Sequence, residues 1–146
     1  MNEINKNYIN ELKSDHKIVG QLLEDIKFSI QTKDIQGIAT RIDSLKKSLF
    51  GHLKKEDDKL YFDLRNKTKD KKNMEMIEMT ISTFSTAMKG IEDRILRFLE
   101  KYPSKDEIAK VAADFNKDFQ GVYEDIIKRV NNEEKVLYPI YEKYCC

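Results

Sequence analysis

Five ionisable residues stand where the pattern of this chain otherwise puts apolar ones: His16, His52, Glu56, Arg129 and Glu133. The rows they interrupt advance by alternating steps of three and four. The first is Leu12, His16, Val19, Leu23, Ile26, Ile30, and the second Ile38, Ile42, Leu45, Leu49, His52, Glu56, Leu60. A third, Met74, Ile77, Ile81, Phe84, Met88, Ile91, Ile95, Phe98, is apolar throughout. The fourth reads Ile108, Val111, Phe115, Phe119, Val122, Ile126, Arg129, Glu133, Leu137, Ile140. Such spacing marks the apolar face of a helix. An ionisable group on that face must be paired, metal-bound or neutralised, because burying it alone is too costly. His52 and Glu56, four residues apart, share a helix face. They can therefore present a nitrogen and an oxygen to one centre, as metal sites in bundle cores require. Arg129 does a different job: its guanidinium is a permanent cation that donates in pairs to carboxylates.

The elements that must position these residues are helices. The chain has 146 residues, 36% of them charged, with two prolines, five glycines and no tryptophan. That composition leaves long uninterrupted helical stretches and suits a single all-α domain, residues 1–146. Met1 to Lys6 reads as a loose start. A first helix is expected from Asn7 to Thr32, a second from Ile35 to Asn66 and a third from Asn73 to Lys101. Tyr102-Pro103 should end the third, since a residue before proline avoids the helical region. Ser104 with Glu107 is a capping-box pair opening a fourth helix to about Lys143, with Pro139 bending or breaking its last turns. Four helices joined by short links predict an antiparallel up-down-up-down bundle. His16 and His52 are nearly equidistant from the expected turn at Lys33, so they should face each other at one height. The same count leaves Arg129 two or more turns away.

The charge balance is 27 basic against 26 acidic residues, which does not suit a general nucleic-acid binder. The one basic cluster, Lys67, Lys69, Lys71 and Lys72, is mixed with Asn66, Thr68, Asp70 and Asn73 and reads as a solvated loop. No stretch approaches the ~20 apolar residues that span a bilayer, and the opening MNEINKNYINEL lacks the apolar core of a secretory signal. A cytoplasmic protein, monomeric or weakly dimeric, is expected, with neither nucleic acid nor membrane as partner and a protein partner left open. Cys145 and Cys146 read as an exposed, frayed tail (residues 144–146) that cross-links nothing within the domain. A redox, soft-metal or lipidation role is a minority alternative.

Residues 52–62, HLKKEDDKLYF, echo residues 129–139, RVNNEEKVLYP. Each has a polar head, then an acidic pair four residues on, then Leu-Tyr: Glu56-Asp57 with Leu60-Tyr61, and Glu133-Glu134 with Leu137-Tyr138. With Asp15-His16-Lys17 in the first helix, this arrangement resembles the hemerythrin-like, or HHE cation-binding, domains. The resemblance implies a four-helix bundle around a non-haem di-iron centre, with five histidines and a carboxylate from each of helices two and four. It implies functions in binding or sensing oxygen or iron, handling nitric oxide or peroxide, or repairing iron–sulfur centres. By that resemblance His16, His52, Glu56 and Glu133 match metal ligands. Arg129 stands where a histidine belongs, and the third helix, with Ile77, Ile81 and Phe84, supplies none.

A complete di-iron centre is therefore not expected. The favoured expectation is a non-enzymatic sensory or regulatory bundle in which Arg129 lies between Glu56 and Glu133 and replaces the metal's charge. Two carboxylates and one arginine leave one negative charge, which one protonated histidine can cancel. An alternative keeps a single Fe, Mn or Zn ion on His16, His52, Glu56 and Glu133, with Arg129 swung outward. A third treats the bundle purely as an interaction module. Asp57, Asp58 and Glu134 lie off the apolar face and should be solvated. Tyr61 and Tyr138 should pack near helix ends with their hydroxyls outward.

Overall fold

A computed structural model describes residues 2–69 and 71–146; Met1 and Asp70, the latter within the expected loop, lie outside the described residues. The architecture is the expected all-α four-helix bundle. Its first rod is α1 (Glu3–Gln31). Its second comprises α2 (Ile35–Lys55), a π-helical turn (Glu56–Leu60) and α3 (Tyr61–Thr68). The third is α4 (Glu75–Lys101). The fourth follows a short α5 (Lys105–Lys110) and comprises α6 (Ala112–Asn132), a second π-helical turn (Glu133–Leu137) and α7 (Tyr138–Cys145).

Local chemistry accounts for the ends. The first rod stops at Thr32, and Lys33 turns the chain in the left-handed region (φ 58°). Asp34 then caps α2 by accepting from the Gly37 amide at 3.0 Å. Ser104 accepts from the Glu107 amide at 3.4 Å, so the cap read from sequence opens α5.

Several expectations need correcting. From Asn2 on, the start of the chain is not loose: Asn2 caps α1, and Asn5 is buried with its amide donating to the Cys145 carbonyl at 2.6 Å. The fourth rod breaks at Val111, not at Pro139. Residues before Val111 pack against α2, with Ile108 in the core, and do not climb the bundle axis. Counting them as climbing residues is what misplaced Arg129 by two turns. Pro139 sits just after a wide turn, where the hydrogen-bond ladder is already shifted and its missing N–H is tolerated. Cys145 is not frayed; it is the last residue of α7 and is buried.

The apolar interior forms two layers. One is built around Val19, Leu23, Leu45, Ile95, Phe115 and Ile126. The other is rich in tyrosine and holds Tyr8, Leu12, Leu60, Tyr61, Tyr138 and Tyr141. Along α1, α2 and α6 the polar residues of the rows fall between these two layers. No helix among the described residues is long and apolar enough to cross a membrane.

Candidate metal centre

All five ionisable residues of the apolar rows are buried, Glu56 and Glu133 almost completely. The short turn between α1 and α2 brings His16 and His52 to one level, with Nε2 atoms 3.2 Å apart and ring centroids 4.7 Å apart. The fourth rod joins them there. Glu133 Oε1 is 3.1 Å from His16 Nε2 and 3.7 Å from His52 Nε2. Glu56 Oε2 is 3.4 Å from His52 Nε2, while its Oε1 accepts from the Arg129 guanidinium at 3.1 Å. Arg129 also donates to the Met88 carbonyl of α4 at 3.4 Å, and its Nε lies 3.6 Å from Glu133 Oε1. The arginine thus points inward, between the two carboxylates.

Both acids open a π-helical turn. Each turn inserts one residue into the α-helical ladder: Tyr61 N–H reaches back to the Glu56 carbonyl, and Tyr138 N–H to that of Glu133. One extra residue rotates the remainder of the rod by roughly 100°. That rotation brings Tyr61 and Tyr138 to the inside, so the expectation that their hydroxyls face outward is overturned. Tyr138 Oη donates to Glu56 Oε2 at 2.9 Å and lies 3.2 Å from His16 Nε2. Tyr61 Oη is buried and meets no hydrogen-bond partner among the described residues.

Two further residues complete the arrangement. Asp15 Oδ2 is 3.0 Å from His52 Nδ1 and is itself held by Lys55 at 3.1 Å. Glu134 Oε2 is 3.1 Å from His16 Nδ1. A carboxylate on the far nitrogen fixes ring orientation and raises the basicity of the near one, as behind many metal-binding histidines. Glu134 is exposed, as expected, yet not merely solvated; Asp57 and Asp58 are exposed. The signal for Asp15 and Glu134 was adjacency, since each abuts an interrupting residue in the chain.

The charges respond to this crowding. Burial lowers the His52 pKa, but the neighbouring Glu133 and Glu56 carboxylates outweigh it and hold the ring at about 10. Burial, and then the neighbouring Glu133, push Glu56 up to about 7. For Glu133 burial again opposes the charged form, but its neighbours Glu56, His16 and His52 and the Arg129 charge win. Its pKa falls well below the usual carboxylate range. Glu133 is thus the firm anion of the centre, and Glu56 the acid nearer to taking a proton.

His16, His52 and Glu133 offer three ligand atoms within 4.8 Å of one another, a group able to hold a metal ion. An ion bonded to such ligands at about 2.0–2.2 Å keeps neighbouring ligand atoms roughly 3–3.6 Å apart. The two separations from His16 fall in that range, and the third slightly exceeds it. Glu133 Oε2 is buried without a hydrogen-bond partner among the described residues, as suits a carboxylate beside a cation. Glu56, expected as a fourth ligand, is instead turned toward Arg129 and Tyr138.

No curated protein and no solved structure matches the chain. A family model does: the hemerythrin HHE cation binding domain, over residues 7–141. That span takes in both π turns, both histidines and all four rods. The helix order, the paired acid-x-x-x-Leu-Tyr turns and this match agree, and the chain belongs to the hemerythrin HHE cation-binding domain family.

Proposed function

We infer that this hemerythrin-family bundle is a sensory or regulatory protein built around one exchangeable divalent cation and one permanent organic cation, the Arg129 guanidinium. The observation that supports the reading is the convergence of His16, His52 and Glu133 on one point, beside a guanidinium already bonded to Glu56. The residues do not fit a dinuclear centre. The chain has two histidines, Arg129 fills the position facing the acids on the fourth rod, and Ile77, Ile81 and Phe84 supply no ligand from α4. They do fit one ion, held by His16, His52 and Glu133, and Fe(II), Mn(II) or Zn(II) suits two nitrogens and a carboxylate. Such an ion would supply Lewis acidity or, as iron, a one-electron couple. Around it, Asp15 and Glu134 orient the imidazoles, Tyr138 and Arg129 hold Glu56, and the apolar layers keep bulk water out. An oxygen carrier is not expected, because two histidines cannot serve two irons.

A second reading, wholly metal-free, is favoured by one observation. Both ring nitrogens of His52 face carboxylates, Asp15 on one side and Glu56 and Glu133 on the other. A doubly protonated His52 with Arg129 would balance Glu56 and Glu133 without metal.

The test is metal titration of wild type, Arg129→Ala and Arg129→His with Zn(II), and with Fe(II) under anaerobic conditions. Wild type should bind one ion per chain, and Arg129→His should bind more tightly by removing a repelling charge and adding a nitrogen. Two irons per chain with an oxo-bridged charge-transfer band in air would overturn the reading. Wild type that binds nothing, while Arg129→Ala gains a site, would replace it with the metal-free one.

A further inference from the structure

Two cavities meet at Glu92 and Arg129, which line both. The inner one, of about 20 Å³, has room for about one water-sized body, and His16, His52 and Glu133 stand on its wall. Glu133 is the acid whose buried Oε2 meets no hydrogen-bond partner among the described residues. The outer cavity, of about 340 Å³, lies between the second rod and α4, with exposed Asp57 and Lys89 on its wall. Among the described residues the inner wall is half-buried at Phe50, Leu53, Glu92 and Val130 and buried elsewhere, so those positions are where it can open.

Three of those four side chains are apolar. A divalent ion cannot shed its water against apolar groups alone, because a charge stripped of hydration without a partner is too costly. Glu92 is the one group among the four that replaces lost water with an anionic oxygen. Its side chain is 24% exposed and meets Lys89 only at 3.8 Å, so the carboxylate is loosely held. Asp57 adds a second negative charge to the outer cavity. Arg129, tied to Glu56 and to the Met88 carbonyl, fixes a positive charge at the junction. A doubly charged ion passing that guanidinium needs an anion beside it, and Glu92 is placed to supply one. We propose that Glu92 is the entry residue of the metal centre: divalent cations gather in the outer cavity, are taken by the Glu92 carboxylate and pass beside Arg129 to His16, His52 and Glu133. This role rests on the single-ion reading above, but it governs the rate of uptake and not the number of ions held.

The probe is Zn(II), mixed rapidly with the metal-free full chain, with an indicator dye following uptake and a chelator chase following release. Glu92→Gln should slow uptake and release alike, each about tenfold, because a charge at the entrance lowers the barrier in both directions. One zinc per chain should still be held, with an affinity within about threefold of wild type. Raising the ionic strength should slow wild-type uptake and narrow the gap between the two proteins. Glu92→Asp should recover part of the rate, and Lys89→Ala, which removes a cation from the outer wall, should speed uptake severalfold. Unchanged uptake in Glu92→Gln would overturn the proposal. So would weaker binding with unchanged uptake, which would make Glu92 a ligand instead. Wild type that holds no zinc at equilibrium would overturn it together with the single-ion reading.

Discussion

Arg129 touches both buried acids, so its removal should be felt more than that of any other polar side chain in the centre. In Arg129→Ala, Glu56 and Glu133 would face each other across a buried space without their permanent counter-charge. Breaking such an arrangement costs about 3–5 kcal/mol, less whatever is recovered when one acid takes up a proton. Urea denaturation should register that loss, and saturating Zn(II) should return part of it; a variant as stable as wild type would mean the guanidinium contributes nothing. The two buried tyrosines make a sharper pair. Tyr138→Phe strips Glu56 of a donor and should cost about 1–3 kcal/mol. Tyr61→Phe removes a hydroxyl that no acceptor among the described residues satisfies, and should be neutral or stabilising in the same assay. The reverse order would show that the Tyr61 hydroxyl, not that of Tyr138, is the structural one.

At the scale of the helices, much was legible from spacing alone. The apolar rows located His16, His52, Glu56, Arg129 and Glu133, and each is buried where its row predicts. What the rows could not show was the pair of π turns, because a constant helical period carries past an inserted residue without a mark. On the fourth rod the α-helical period puts Ile140 on the inner face; the structure puts Tyr138, Tyr141 and Cys145 there, and Ile140 is only partly buried. The outward tyrosines and the frayed tail are the same error, one residue of register. The height of Arg129 departs from the residue count for another reason, since a short α5 and the break at Val111 use up chain without gaining height. The corrected end of α7 carries its own prediction. Deleting Cys145 and Cys146 removes a buried side chain and the acceptor for Asn5. The loss should be about 1–2 kcal/mol, seen as a melting temperature several degrees lower. An unchanged melting temperature would return the tail to the frayed state expected from sequence.

In the molecule as a whole, a thin polar layer separates two apolar ones, and the rods are not equally committed to either. The first turns of α4, Glu75 to Thr80, are mostly exposed, with Met76 82% and Met79 69% accessible. Amide exchange should therefore be fastest there and slowest along α1 between Leu12 and Leu23, where the inner face is fully covered. Equal protection of the two segments would mean that the methionine face is covered in solution. The matched wide turns in the second and fourth rods carry a mechanical consequence. Each advances the helix beyond it by about a quarter of a revolution, and both do so at the level of the polar layer. The tyrosine-rich end is therefore wound out of phase with the other end by the same angle on two rods. Tightening one turn alone would swing Tyr61 and Leu64, or Tyr138 and Tyr141, out of their packing while the other rod stayed in place. The charged layer between the apolar ends is thus the level at which both rods take up the same added twist.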